Sequence, residues 1–173
     1  MKKLSALFLS ALILLVTSCN PPSPSDTVTQ ELEYLKNNPE EISGYMDEKI
    51  LSKEVAQSLS DKLLDFDYTV EREEITGSNA TVDVTITTYP FTEIFQTFSF
   101  SLAEEFSNNP NMDDSEISDF VNQLILNSLS KTEKNFTQRI AVNLEKEEGK
   151  WVIKNHQELS NALTGGLYEW TEE

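Results

Sequence analysis

Few side chains in this chain could make or break bonds. Its 173 residues contain one histidine, His156, and one cysteine, Cys19. Any Ser-His-Asp or Cys-His arrangement would have to use His156, which follows the apolar run ending Ile153-Lys154-Asn155 and reads as a loop residue. One imidazole and one thiol fall short of the nitrogen and sulfur donors typical of zinc sites. Carboxylates are plentiful: Asp65 with Asp67, Glu73 with Glu74, and Glu104 with Glu105. Glycoside hydrolysis needs two acids across one cleft, one of them with a raised pKa, a condition that neighbouring acids on turns and solvated helix faces do not meet. Asp113, Asp114, Glu116 and Asp119 form a dense group. They lack the alternating acids and central glycine of an EF-hand loop, and helix capping accounts for most of them. There is no glycine-rich phosphate loop and no Gly-x-Ser-x-Gly elbow. The expectation is a non-enzymatic protein with no catalytic residues, no metal and no cofactor.

The chemistry with the clearest layout is at the cysteine. Lys2 and Lys3 precede an apolar stretch, Leu4 to Val16, and Thr17 and Ser18 lead into Cys19. This is the pattern of a secretory signal, too short to span a bilayer as a helix. Its end resembles a bacterial lipobox, which implies diacylglyceryl attachment to Cys19 and cleavage between Ser18 and Cys19. Two acyl chains would give a lasting anchor, where one would not. With no second cysteine an internal disulfide is impossible, so the folded part depends on its core.

The formal net charge is −17, and loss of Lys2 and Lys3 with the signal makes the remainder more acidic. Such a surface argues against nucleic acid, whose phosphates require Lys and Arg, and anionic headgroups repel it too. The expected partners are therefore the lipid bilayer, through Cys19, and an unidentified extracytoplasmic protein or small ligand.

Three segments follow from composition and period: residues 1–18 as the signal, 19–29 as the lipidated cysteine and proline-rich tether, and 30–173 as one domain. Asn20 to Thr27 reads as extended chain, reaching roughly 25 Å at about 3.1 Å per residue. Leu32 and Leu35 mark a helix over 31–38, and Leu51, Val55, Leu59 and Leu63 a second over about 47–65. The period then becomes two. Phe66, Tyr68 and Val70 form one run, and Ala80, Val82, Val84 and Ile86 another, with Gly77-Ser78-Asn79 between them, which predicts a β-hairpin. Phe91, Ile94, Phe95, Phe98, Leu102 and Phe106 predict a helix after Pro90. A further helix follows Asp113, with Glu116 completing a capping box, and its broad stripe through Ile125, Leu126 and Leu129 predicts burial on more than one side. Phe136, Ile140, Val142 and Leu144 predict a strand that turns at Glu148-Gly149 and returns through Trp151, and Gln157 to Leu163 a last short helix.

This order predicts the α+β class, with a curved antiparallel sheet of about four strands packed against helices. Together with the lipobox and Gly149-Lys150-Trp151-Val152-Ile153, it resembles the small Gram-positive extracytoplasmic lipoproteins of unknown function that have a cystatin-like or nuclear-transport-factor-two-like fold. The helical insertion at 91–131 departs from the simplest versions of that fold. The resemblance implies a cone with a pocket between sheet and helices, which Phe91, Phe95, Phe98, Phe100, Tyr68, Tyr89 and Trp151 could line or, as core residues, simply fill. A hydrolase or lyase of the same fold, using His156 or a buried acid, is the alternative. Gln138 falls on the apolar phase of its strand and would need a partner from backbone or ligand. Tyr168 and Trp170, past Gly165-Gly166, either dock on the sheet or anchor a partner. Gln138, Trp151, Tyr168 and Trp170 are accordingly the candidate contact residues.

Overall fold

The structure is a computed structural model that describes residues 21–39 and 51–167. Among the described residues five helices and four strands follow one another as α1 (Pro24–Asn37), α2 (Lys53–Leu64), β1 (Asp67–Thr76), β2 (Asn79–Thr88), α3 (Phe91–Asn108), α4 (Asp114–Lys131), β3 (Phe136–Glu147), β4 (Lys150–Ile153) and α5 (His156–Leu163). The class is α+β, with one antiparallel sheet in the order β1-β2-β3-β4.

The first helix begins earlier than the sequence suggested, and the cause is local. Ser23 is its N-cap: the Asp26 N–H donates to Ser23 Oγ (3.1 Å), and the Ser23 N–H donates to Asp26 Oδ2 (3.0 Å). Pro24 occupies the first turn, where its missing N–H costs nothing and its fixed φ suits the helix. Residues 24–29 are therefore helix rather than tether. The N–H of Ser25 also donates to Glu73 Oε2 (2.7 Å), placing a carboxylate at the positive end of the helix dipole. In α2, described from Lys53, the cap is Ser52; the predicted residues 47–50 lie outside the described residues.

Both hairpins turn where glycine allows it. Gly77 has φ 65°, and Glu148 and Gly149 have φ 50° and 84°, a two-residue turn matching the twist of the strands. The pairing Val70↔Val84 followed by Arg72↔Asp83 leaves Glu71 as an extra residue. This bulge turns Ile75 onto the same face as Ala80. Strand β3 pairs with β2 along its length, from Thr88↔Phe136 to Asn79↔Glu145, although α3 and α4 intervene in the chain. The side chain of Asn155 extends the shorter β4 ladder: it accepts from the Asn143 N–H (2.7 Å) and donates to the Ala141 carbonyl (2.7 Å).

Period-two patterning places Val82, Val84, Ile86, Ile140, Val142 and Leu144 on one face, under α1 (Val28, Leu32) and α5 (Leu159, Ala162, Leu163). A second core joins Val55 and Leu59 of α2, Phe91 and Ile94 of α3, and Ile125 and Leu129 of α4. These three helices pack on one another more than on the sheet: α4 lies against both α2 and α3. Only Ile125 and Leu129 of α4 are buried, so the expected burial on more than one side does not occur. The C-terminus of α5 meets the root of α3, where Gly165 (φ 56°) lies so close that a Cβ would strike the Tyr89 carbonyl.

Candidate functional site

The residues proposed to line one pocket are distributed among three environments. Trp151 is buried in the sheet core, Phe91 in the helical core, and Phe100 is 78% exposed on α3. The side chains of α1 and α5 fill the covered face of the sheet. Trp151 is thus a core residue, with Lys146 Nζ 5.4 Å from its ring centroid. A hollow does occur at the tip of the α3–α4 hairpin, lined by Glu105, Asn108, Asn109, Pro110, Asn111, Met112 and Glu116. It is polar and includes none of the aromatic residues expected to line a pocket.

Gln138 lies on the covered face, opposite Ile86, as its phase implied. Its Oε1 is buried and accepts no hydrogen bond; Thr88 Oγ1, on the same face two pairs along, is likewise buried without a hydrogen bond. Leaving such a group unpaired costs about 1–3 kcal/mol. Tyr168 and Trp170 lie outside the described residues, as do Ser18 and Cys19.

His156 begins α5 and is half-buried. Burial lowers its pKa, a hydrogen bond with the Ile153 backbone opposes that shift, and the charge of Lys154 adds to it. The neutral imidazole is therefore the favoured form. The acids at 113–119 act as helix caps. Asp113 Oδ1 accepts the N–H groups of Ser115 and Glu116 (2.9 Å each), and Glu116 Oε2 accepts the Asp113 N–H (2.9 Å). Among the described residues, no group of three or more His, Cys, Asp or Glu side chains is arranged to hold a metal.

A charged joint lies where the helical bodies meet the sheet. Lys134 Nζ sits 2.7 Å from Asp65 Oδ1 and 2.9 Å from Asp67 Oδ2, and Tyr89 Oη donates to Asp65 Oδ2 (2.7 Å). Lys62 Nζ lies 3.8 Å from the Tyr89 ring centroid. Hydrogen bonds donated by Lys134, then by Tyr89, hold the Asp65 carboxyl below its ordinary range, and those that Lys134 donates to Asp65 and Asp67 raise its own pKa. Each charge here has a partner that ties the helical body to the sheet. Farther along the sheet, burial first and then its hydrogen bond to Glu33 push the Tyr68 hydroxyl up to about 12.

The open face of the sheet is also internally paired. Arg139 reaches Glu71 (3.1 Å) and Asp83 (2.9 Å), and Thr87 and Thr137 share a hydrogen bond across strands (3.0 Å). Such exposed pairs contribute little individually but leave this face without a polar group aimed at a common point.

Apolar exposure is concentrated on α3, which sequence reasoning had assigned to a pocket. Phe106 is 40% exposed besides Phe100, and Ile75 on β1 is 53% exposed. The signal for Phe100 was available: it lies half a helical turn away from the stripe through Phe91, Phe98 and Leu102.

No protein-family model matches the chain, and no curated protein does. A solved structure of a candidate lipoprotein from Bacillus subtilis, YcdA, is similar at 14% sequence identity with a TM-score of 0.45. The likeness covers 82% of this chain and 47% of that one, so this chain spans about half the length of the protein it matches. No helix among the described residues is long and apolar enough to cross a membrane.

Proposed function

We propose that this protein is an extracytoplasmic lipoprotein, held to the outer face of the cell membrane by lipidated Cys19 and acting as a binding or protein-interaction module rather than as an enzyme. One observation carries the reading: two lysines, a short apolar stretch and small residues end at the chain's single cysteine, directly ahead of a capped helix. Four residues, Asn20 to Ser23, separate Cys19 from Pro24. Extended, they reach about 12 Å, half of the span suggested by a tether running to Thr27. The domain is then held close to the headgroups.

The bond from Ser25 to Glu73 ties the start of α1 to the sheet near its two β-turns. In this reading the turn end of the sheet lies nearer the anchor, and α3, which leaves β2 at Thr88, is rooted at the opposite end. A sheet meander covered by α1 and α5 also supports a place among small lipoproteins of cystatin-like or nuclear-transport-factor-two-like fold. The non-catalytic reading is supported by the fixed pairing of Asp65, Lys134 and Tyr89 and by the capping roles of Asp113 and Glu116.

The test is Cys19→Ser, followed by labelling with an alkyne palmitate analogue and membrane fractionation. Loss of label and release or non-processing of the chain are expected. Normal processing with undiminished membrane partition would overturn the proposal.

A further inference from the structure

We propose that the covered face of the sheet binds one buried water molecule between Gln138 and Thr88, at the end where the arm formed by α3 and α4 leaves β2. The site is the same whether or not Cys19 carries lipid.

Thr88 is fully buried, and its Oγ1 has no hydrogen-bond partner among the described residues; the buried Oε1 of Gln138 has none either. Strand register sets the two close together. Ile86 pairs with Gln138 and Thr88 with Phe136, so Thr88 and Gln138 are diagonal neighbours on one face, a relation that keeps Cβ atoms within about 8 Å. Their surroundings are apolar, with Phe66, Ile86 and Ile140 in the same core. Buried polar groups are nearly always satisfied by protein or by ordered water. Two orphaned oxygens on one diagonal therefore point to a single small molecule between them.

Chemistry selects that molecule. Gln138 Oε1 only accepts, so the ligand must donate a hydrogen, while the Thr88 hydroxyl can donate or accept. Exchanging the two ends of the amide does not remove the need, because a hydroxyl near enough to pair with the amide would already donate to Oε1. Two hydrogen bonds of about 2.8 Å, made by one water, bridge a gap too wide for a direct bond. Size agrees. Side chains of α1 and α5 fill the rest of this face, and a water needs only about 10–15 Å³. Gln138 itself is half-buried and lies on the part of β3 that β4, paired from Leu144 onward, does not reach, which gives the water a route to solvent. Its position also has a structural consequence. Thr88 precedes Tyr89, whose hydroxyl donates to Asp65 and whose carbonyl abuts Gly165, so the water ties β2 to β3 directly behind the joint.

The test is a crystal structure of the full chain, purified in neutral detergent, at a resolution that shows ordered solvent. A single peak about 2.8 Å from both Gln138 Oε1 and Thr88 Oγ1 is expected, and Thr88→Val should remove it. In urea denaturation, Thr88→Val and Gln138→Met should each lower the midpoint. The double variant should lower it by less than the two together, because both substitutions release the same water. Both replacements nearly conserve volume, and circular dichroism establishes that each variant is folded. The absence of a peak, a peak touching only one of the two oxygens, or midpoint changes that simply add would each overturn the assignment. Density extending beyond one atom would overturn it in favour of a ligand hydroxyl.

Discussion

The two cores of this protein are built to different standards. Under the sheet, Val28, Leu32, Val82, Val84, Ile86, Val142 and Leu159 are fully buried, contributed by α1, α5 and two strands far apart in sequence. In the helical body, six side chains are buried and a larger set, including Phe95, Phe98, Val121 and Leu126, is only partly covered. A sheet with helices across one face closes its core from both sides. Three helices packed mainly on one another leave their outer turns wet, and α3 buries only Phe91 and Ile94 near its start. Regions of low burial open most readily and are the usual source of binding surfaces. The difference teaches that the more completely buried core is in the sheet body and that the arm carries the less covered apolar surface.

The sharpest way to break this comparison is truncation on each side. Leu159→Ala, at a fully buried position under the sheet, should lower unfolding free energy by about 3 kcal/mol, read by urea denaturation. If it costs no more than an arm substitution, the asymmetry is wrong. The joint between the two bodies comes next. Gly165→Ala combines φ 56° with a clash against the Tyr89 carbonyl and the Phe91 amide. It should cost about 2 kcal/mol, visible as a lower melting temperature. Loss of the α4 cap through Asp113→Ala should cost about 1 kcal/mol. Hydrogen exchange should then accelerate at the start of α4 while β2 and β3 amides stay protected.

Acid provides a finer probe. The folded pKa of His156 is lowered chiefly by burial, so the unfolded chain binds the proton more tightly. Stability is therefore lost as pH falls through the ordinary histidine value of about 6.5 toward the folded value. His156→Asn should flatten that slope in melting temperatures taken between pH 7 and pH 5. Asp65 shifts downward through Lys134 and Tyr89; its contribution is present above the usual aspartate range and disappears as pH drops through the folded value. Asp65→Asn should remove that lower limb alone. The smallest effect belongs to the arm: Phe106→Ala, at a 40% exposed site, should change stability by no more than about 0.5 kcal/mol. A large loss there would show that the arm's apolar surface is structural.

Much of the fold is legible in short-range pattern. The hairpin of β1 and β2 is marked by alternation on both sides of Gly77, the cap of α4 by Asp113 and Glu116, and the last hairpin by Glu148-Gly149. The start of α1 was legible too, because Ser23-Pro24-Ser25-Asp26 is a capping box with proline at the first position. A reading that treated three prolines as a tether overlooked it. The candidate contacts fared unevenly. The phase of Gln138 identified a buried, unbonded amide oxygen, whereas Trp151 is part of the sheet core. An aromatic residue in a strand has the same local pattern whether it fills a core or lines a pocket, since the covering helices come from elsewhere in the chain.

Local sequence, then, determined the periods, caps and turns, along with the lone cysteine behind an apolar leader and a long stretch without positive charge. These properties depend on neighbours within a few residues or on composition alone. Only the tertiary structure decided that β2 pairs with β3 across the helical arm, that α1 is tied to Glu73, and that Phe91 is enclosed in the helical core. Each of these depends on contacts between residues distant in the chain, and no window along the sequence contains both partners.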